Sequence, residues 1–365
     1  MAHSPAMVSR SAHNGTSSNQ YVRRGATSPR TALNPASPGL VAQAAEPPAR
    51  YRCGEVWAGR CKVPVGPPDY SHGQHPSPAN RAWAALLPGC PPPVLDRLSR
   101  HPAVGVRQEV ACNPTCPPRV LRRLSHNREP EVRNQVAHQS ACPPDVLVRL
   151  SRDIAESVRL GAASNPLCAP DDLERLSYDT ADGVRIQVAK NPSSAPAVLE
   201  RLSDDTKPLV LVCVAGNPSS PPGVLGKLSG NGNPGVQGQV AQNPNCPADT
   251  LERLASNGSP DVRKDVAANP SSPTPLLEQL SRDESEWVRS SVAVNPAATP
   301  EILEQLGHDH DITTRRYAAA NTACPPELLD RLIRSRNRQV RQAAASNASL
   351  PQYLRAMWQL ANSAS

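Results

Sequence analysis

Residues 168–193 read CAPDDLERLSYDTADGVRIQVAKNPS, and residues 194–219 read SAPAVLERLSDDTKPLVLVCVAGNPS. Set one above the other, they share Ala-Pro near the start, a leucine pair three residues apart, a serine after it, and Val-Ala-x-Asn-Pro-Ser at the end. The frame extends in both directions. The leucine pair recurs as Leu95/Leu98, Leu121/Leu124, Leu147/Leu150, Leu173/Leu176, Leu199/Leu202, Leu225/Leu228, Leu251/Leu254, Leu277/Leu280, Leu303/Leu306 and Leu329/Leu332. The spacing is 26 residues at every step, with no insertion. A fixed period of this length marks a repeat array. The unit approximates (C/S)-P-P-x-V-L-x-R-L-S-x-(D/N)-x-x-x-x-V-R-x-x-V-A-x-N-P-x.

Each unit reads as two short helices. Proline is tolerated in a first helical turn, where its missing N–H would be unpaired anyway, so Cys116-Pro117-Pro118 or Ser220-Pro221-Pro222 opens the first one. Its leucines at i, i+3 form one apolar stripe, and Ser-x-Asp/Asn is turn chemistry. The spacing predicts about two turns, partly of 3₁₀ type. In the second helix, Val184-Arg185 to Val188-Ala189 sets apolar residues at i, i+4 and i+5, one helical face. Asn-Pro ends it, because proline disfavours α geometry in the residue before it. That place holds Asn in nine of ten units, Gln139 being the exception, and the amide is expected to bond nearby backbone where the chain turns into the next unit.

The chain has 365 residues with 42 prolines, no phenylalanine and ten aromatic residues in all. That composition does not fit a core built on large aromatic side chains. The core must consist of thin Leu, Val and Ala layers, and about five aliphatic side chains per unit cannot offset the entropy of ordering it. Neighbouring units must therefore stack. The fold class is an all-α helical-repeat solenoid of ten units.

These units resemble leucine-rich repeat variant (LRV) repeats, in which Leu-x-x-Leu, Val-Arg-x-x-Val-Ala and Asn-Pro recur in fixed register; the resemblance covers about 90–349. It implies a right-handed superhelix of alternating α and 3₁₀ helices. Members of that family can carry an N-terminal 4Fe–4S module. A looser likeness, to HEAT-type repeats, rests on Val-Arg followed by small residues.

Four segments follow. Residues 1–50, rich in Ser, Ala, Pro, Asn and Arg without periodicity, are expected to be a disordered basic leader. Residues 51–89 form a cysteine-containing module, 90–349 the array, and 350–365 a C-terminal capping helix. The six glycines of 220–245 suggest either a flexible joint or drift.

Six cysteines share one place in the repeat: Cys90, Cys116, Cys142, Cys168, Cys246 and Cys324. Ser194, Ser220, Ser272 and Ala298 stand there in the other units, which reads as a small, partly buried residue at a helix start. Cys213 stands alone. Cys53 and Cys61 precede the array, and Cys112 breaks the register four residues before Cys116. A short segment without a core needs a staple, and inside a cell that staple is a metal. Cys53, Cys61, Cys90 and Cys112, with Cys116 as the substitute fourth ligand, can hold either an iron–sulfur cluster or tetrahedral zinc. The LRV resemblance favours 4Fe–4S on Cys53, Cys61 and Cys90, with the fourth ligand left to Cys112 or Cys116.

Arginine follows the second-helix valine, or Thr314 in its place, in eight units, giving candidate binding residues Arg107, Arg133, Arg159, Arg185, Arg263 and Arg289 among them. The row is either a basic stripe for a phosphate backbone or an ion-paired ladder with Asp153, Asp179, Asp205, Asp283 and Asp309. The charge of +7 sits mainly at the N-terminus: +4 in 1–50, +2 in 51–89 and only +1 in 90–365. Paired ladders are therefore expected, with nucleic acid the lesser alternative to a protein partner. No phosphate loop, nucleophile elbow or paired-His helix motif is present, so the expectation is a binding scaffold and not an enzyme. No apolar run suits a signal peptide or membrane span, and a cytoplasmic location is expected.

Overall fold

The structure is a computed structural model and describes residues 89–362. Each unit from 90 to 349 contributes two α-helices, and the helix Gln352–Asn362 follows the last. The first helix generally spans seven residues, as in Pro92–Leu98 and Pro118–Leu124, and the second spans nine, as in Pro130–His138 and Glu156–Ser164.

The first helix starts where proline sets the backbone. Pro91, at φ −62° and ψ 140°, precedes the first turn, and its carbonyl accepts from the N–H groups of Val94 (2.9 Å) and Leu95 (3.2 Å). At the far end the serine hydroxyl donates to the carbonyl three residues back, Ser125 to Arg122 (2.7 Å) and Ser203 to Glu200 (2.6 Å). Where Ala255 replaces that serine the helix runs on to Asn257, although units with Gly307 and Ile333 stop at the usual leucine. The expected 3₁₀ character is confined to the ends, as in His101 N–H to Leu98 O (2.9 Å). Among the described residues no separate 3₁₀ helix occurs.

Both helices turn their apolar stripe inward. The leucine pairs are buried along the array, as are Val184, Val188 and Ala189 with their counterparts in other units. Consecutive second helices pack side by side, while each first helix packs on the second helices before and after it. Gly161 allows one close approach, because a Cβ there would lie 2.5 Å from Asn134 Oδ1 and 2.8 Å from His138 Nδ1. At the last layer Leu354 is buried and Trp358 packs against the core.

The asparagine that ends the second helix links neighbouring units. Asn217 Nδ2 donates to Ala189 O (2.6 Å) and Asn191 O (3.1 Å) of the preceding unit. Its Oδ1 accepts from the N–H of Ser219 (2.8 Å). The two donations to the preceding unit recur at Asn165, Asn191, Asn243, Asn269, Asn295, Asn321 and Asn347. Gln139 makes them to Ala111 O (3.0 Å) and Asn113 O (2.8 Å). The expected backbone bond is thus made, and it reaches back to the preceding unit. The glycine-rich unit keeps both helices (Pro222–Leu228 and Pro234–Gln242) and its bonds to both neighbours.

Asn217→Ala is predicted to leave two carbonyls and one N–H of buried backbone without their partner, each at a cost of about 1–3 kcal/mol. Chemical denaturation is expected to show a loss of about 3 kcal/mol or more. Asn217→Gln, which copies the side chain found at Gln139, should lose less than half as much. Equal losses for the two variants would contradict the role given to the amide.

Candidate functional site

Cys53 and Cys61 lie outside the described residues. Of their three candidate partners, Cys90 and Cys116 are buried and Cys112 is partly exposed. Burial pushes the Cys116 thiol up to about 12, the value also reached by Cys142, Cys168, Cys246 and Cys324. All five occupy the same place at the start of a first helix, where Ser194 and Ser220 donate to Val188 O (2.6 Å) and Val214 O (2.5 Å). A thiol held protonated there is a packing residue. Burial raises the Cys90 thiol as well. Cys112 sits at the end of Val104–Cys112, with Sγ 3.1 Å from Gln135 Oε1. Cys90 and Cys116 thus share one buried place, and Cys112 differs from both in being partly exposed. Cys213 is buried between helices.

The arginine row is built into the array. Arg133, Arg159, Arg185, Arg263 and Arg289 each bind the aspartate twenty residues ahead, in the next unit, through Nε and Nη2. In the pair Arg133–Asp153 the two distances are 2.6 and 2.8 Å. Nη1 donates to carbonyls of the arginine's own turn, as from Arg159 to Asp153 O (2.9 Å) and Ile154 O (3.0 Å). All three nitrogens of the fork are occupied, and these five side chains are only 13–18 % exposed. They form an ion-paired ladder, and not an open stripe for phosphates. Arg107 has no such partner, because Asn127 stands where the carboxylate would be; its Nη1 donates to His101 O and Pro102 O (both 2.7 Å), and its Nε is buried without a bond.

The arginines before the second leucine are also engaged with the preceding unit. Arg123 binds Asp96 (3.1 Å), Arg175 reaches Ser151 O (3.0 Å), and Arg201 stacks over the Tyr178 ring at 3.9 Å. Asp172 replaces the usual valine at a buried place and accepts from Ser151 Oγ (3.0 Å) and Arg175 (3.0 Å).

A surface that sequence reasoning missed lies on the second helices of the seventh, eighth and ninth units. Trp287 is 66 % exposed although the chain has four tryptophans and no phenylalanine. With Val294, Tyr317, Ala268, Lys264 and Ser291 it lines a shallow groove of about 420 Å³. The Arg316 guanidinium lies 4.7 Å from the Tyr317 ring centre. The available signal was positional: Trp287 stands where other units have Gly183, Gly235 or Asp261, on the face opposite the buried valines.

No family model and no curated protein matches this chain. Solved structures similar to it include a leucine-rich repeat variant with a novel repetitive structural motif. It is 24 % identical, with a TM-score of 0.44, covering 60 % of this chain and 87 % of that one. An engineered protein is 17 % identical, with a TM-score of 0.33, covering 69 % of this chain and 96 % of that one. A designed armadillo repeat protein in complex with the peptide (KR)4 is 16 % identical, with a TM-score of 0.20, covering 70 % of this chain and 97 % of that one. Among the described residues no helix is long and apolar enough to cross a membrane.

The ladder carries a pH signature. Burial raises the carboxyls of Asp153, Asp179, Asp205, Asp283 and Asp309, but the arginine bond, a backbone N–H and charge attraction outweigh it, so each titrates lower than usual. A folded value below the unfolded one, about 3.9, gives stability that is present above about pH 4 and lost as pH falls through the folded value. The denaturation midpoint is predicted to fall between about pH 4 and pH 2. In Asp179→Asn and Asp205→Asn that acid-dependent fall should be smaller, because one rung no longer titrates.

Proposed function

We propose that this protein is a non-enzymatic helical-repeat scaffold that binds a partner protein through the exposed face of its second helices. The groove around Trp287 carries the reading. An exposed tryptophan beside a valine and a tyrosine is the kind of anchor on which protein interfaces concentrate their energy. It stands on rigid, stacked helices, which limits the entropy lost on binding. Lys264 and Ser291 at its edge can orient a segment whose apolar side chain enters the groove.

A photo-reactive residue at position 294 is expected to cross-link a protein in extracts of the native host. The product should disappear when Trp287→Ala and Tyr317→Ala are added, while the circular dichroism spectrum stays unchanged. Cross-linking that survives both substitutions would remove the groove from the reading.

The same proposal includes an N-terminal 4Fe–4S cluster on Cys53, Cys61, Cys90 and Cys112, with zinc as the alternative metal. Cysteine thiolates are the ordinary ligands of both. Cys112 is preferred to Cys116 as the fourth ligand because it stands outside the repeat slot and is partly exposed. A bound cluster would supply structural cross-linking or a one-electron redox centre. Anaerobic purification is expected to give a band near ~400 nm with about four irons and four sulfides per chain. Cys53→Ala and Cys112→Ala should abolish it, and Cys116→Ala should leave it. A colourless protein with one zinc per chain would replace the cluster, and a metal-free one would remove the module from the proposal.

A further inference from the structure

The arginine ladder contains its own standard of comparison. At five junctions Nη1 of the arginine holds its own turn, while Nε and Nη2 take the two oxygens of the next unit's aspartate. Arg315 is placed in the same way, with Nη1 donating to the carbonyls of Asp309 and His310 (the latter 3.0 Å). The residue twenty places ahead is Ser335. Its hydroxyl accepts from the N–H of Asn337 (3.3 Å) and does not meet the guanidinium. Nε and Nη2 of Arg315 therefore take no partner among the described residues.

A cavity of about 430 Å³ opens beside that guanidinium, lined by Arg315, His308, His310, Ser335, Leu328 and Arg331 among others. Other carboxylates at or near it are committed. Asp309 belongs to Arg289 (2.6 and 3.0 Å), and Glu304 pairs with Arg331. His308 Nδ1 donates to Glu304 O (2.9 Å). The cavity thus presents a forked cation with two donors unspent, next to apolar walls from Leu328 and Leu332.

We infer that this cavity binds a carboxylate group, which supplies from outside the two oxygens that aspartate supplies at the other junctions. A guanidinium fork and a carboxylate make two parallel charge-assisted bonds, and the five internal pairs show that this backbone holds the arginine in the required pose. The cavity exceeds the size of a lone carboxylate and leaves space for the residue or molecule bearing it. The ligand is either an acidic side chain of a polypeptide or a free small carboxylate. The inference is independent of the Trp287 groove, with which the cavity shares no lining residue.

Calorimetric titration of the full-length chain, at constant ionic strength, tests it with two probes: succinate, and the blocked peptide Ac-Gly-Ala-Asp-Ala-Gly-NH2 beside its Asn counterpart. Binding of the Asp peptide but not the Asn peptide, weakened at least tenfold by Arg315→Gln and by Ser335→Asp, assigns a polypeptide ligand. Binding of succinate alone with the same losses assigns a small carboxylate. Ser335→Asp is expected to complete a sixth rung and to raise the melting temperature, which separates site filling from misfolding. Absence of binding by either probe, or binding undiminished in Ser335→Asp, overturns the inference.

Discussion

The buried asparagine amide between units is the constraint from which the rest of the array follows. A helix end leaves carbonyls without intrahelical partners, and here two of them face the next unit in a layer where the asparagine is about 2 % exposed. One amide side chain meets the whole demand. Its two N–H donors go to two carbonyls of the preceding unit, and its oxygen accepts the N–H two residues on, as at Asn217. Aspartate would lack the donors and leucine would lack everything. The requirement also fixes the period, since an inserted residue would carry the amide out of reach of carbonyls 26 and 28 residues behind it. That residue is extended, at ψ near 125° in most units, where the side chain can reach back; a following proline favours this, and Gln139, Asn321 and Asn347 adopt it without one.

The arginine–aspartate ladder is subordinate to this. It lapses where Leu211 and Gln237 stand in place of arginine and Asn231 and Asn257 stand in place of the matching aspartate, so both members of the pair are lost together. The asparagine bonds continue through the same units without a break. Partly buried ion pairs gain little net energy unless both partners are present, so an array can lose a complete rung more safely than half of one. Arg107, Arg315 and Arg341 are the half rungs; Arg341 is the last of the row, with Ala361 twenty places ahead, and the other two are the exceptions that need a reason.

The period, the leucine stripe, the two helices and their Pro and Asn-Pro boundaries were all legible in the sequence, because each depends on local rules repeated ten times. The pairing of Arg133 with Asp153 was partly legible, since both rows were visible as alternatives to a phosphate stripe. What spacing alone did not decide was which row faced which. The twenty-residue offset joins one unit to the next, and only the stacked geometry shows that the fork meets the following turn and not its own. The groove at Trp287 was not read at all: the valine register already set residue 287 off the buried face, but only the stacking of the units brings Val294, Tyr317 and Ala268 beside it. The choice of Cys112 over Cys116 came from register, one lying out of the repeat slot and one in it; burial adds that Cys116 is buried and Cys112 partly exposed.

In a repeat protein each place carries its own control, because the same backbone environment is filled several times by other residues. A residue that matches its counterparts is explained by the fold they share. A residue that departs while the backbone stays unchanged has no such explanation, and three stand out: Cys112 in a place filled elsewhere by residues as different as His138, Lys190 and Val294, Trp287 in one filled by residues from Gly183 to Leu209, and Ser335 where five units have aspartate. Trp287 leaves an exposed aromatic face and Ser335 leaves half of a guanidinium fork unspent, while Cys112 is a partly exposed thiol beside Gln135. Stacking energy does not require any of them, since the neighbouring units stack without them. The uniform ladders, which first drew attention as a binding surface, are therefore the scaffold, and function has to be sought where the ladders are interrupted.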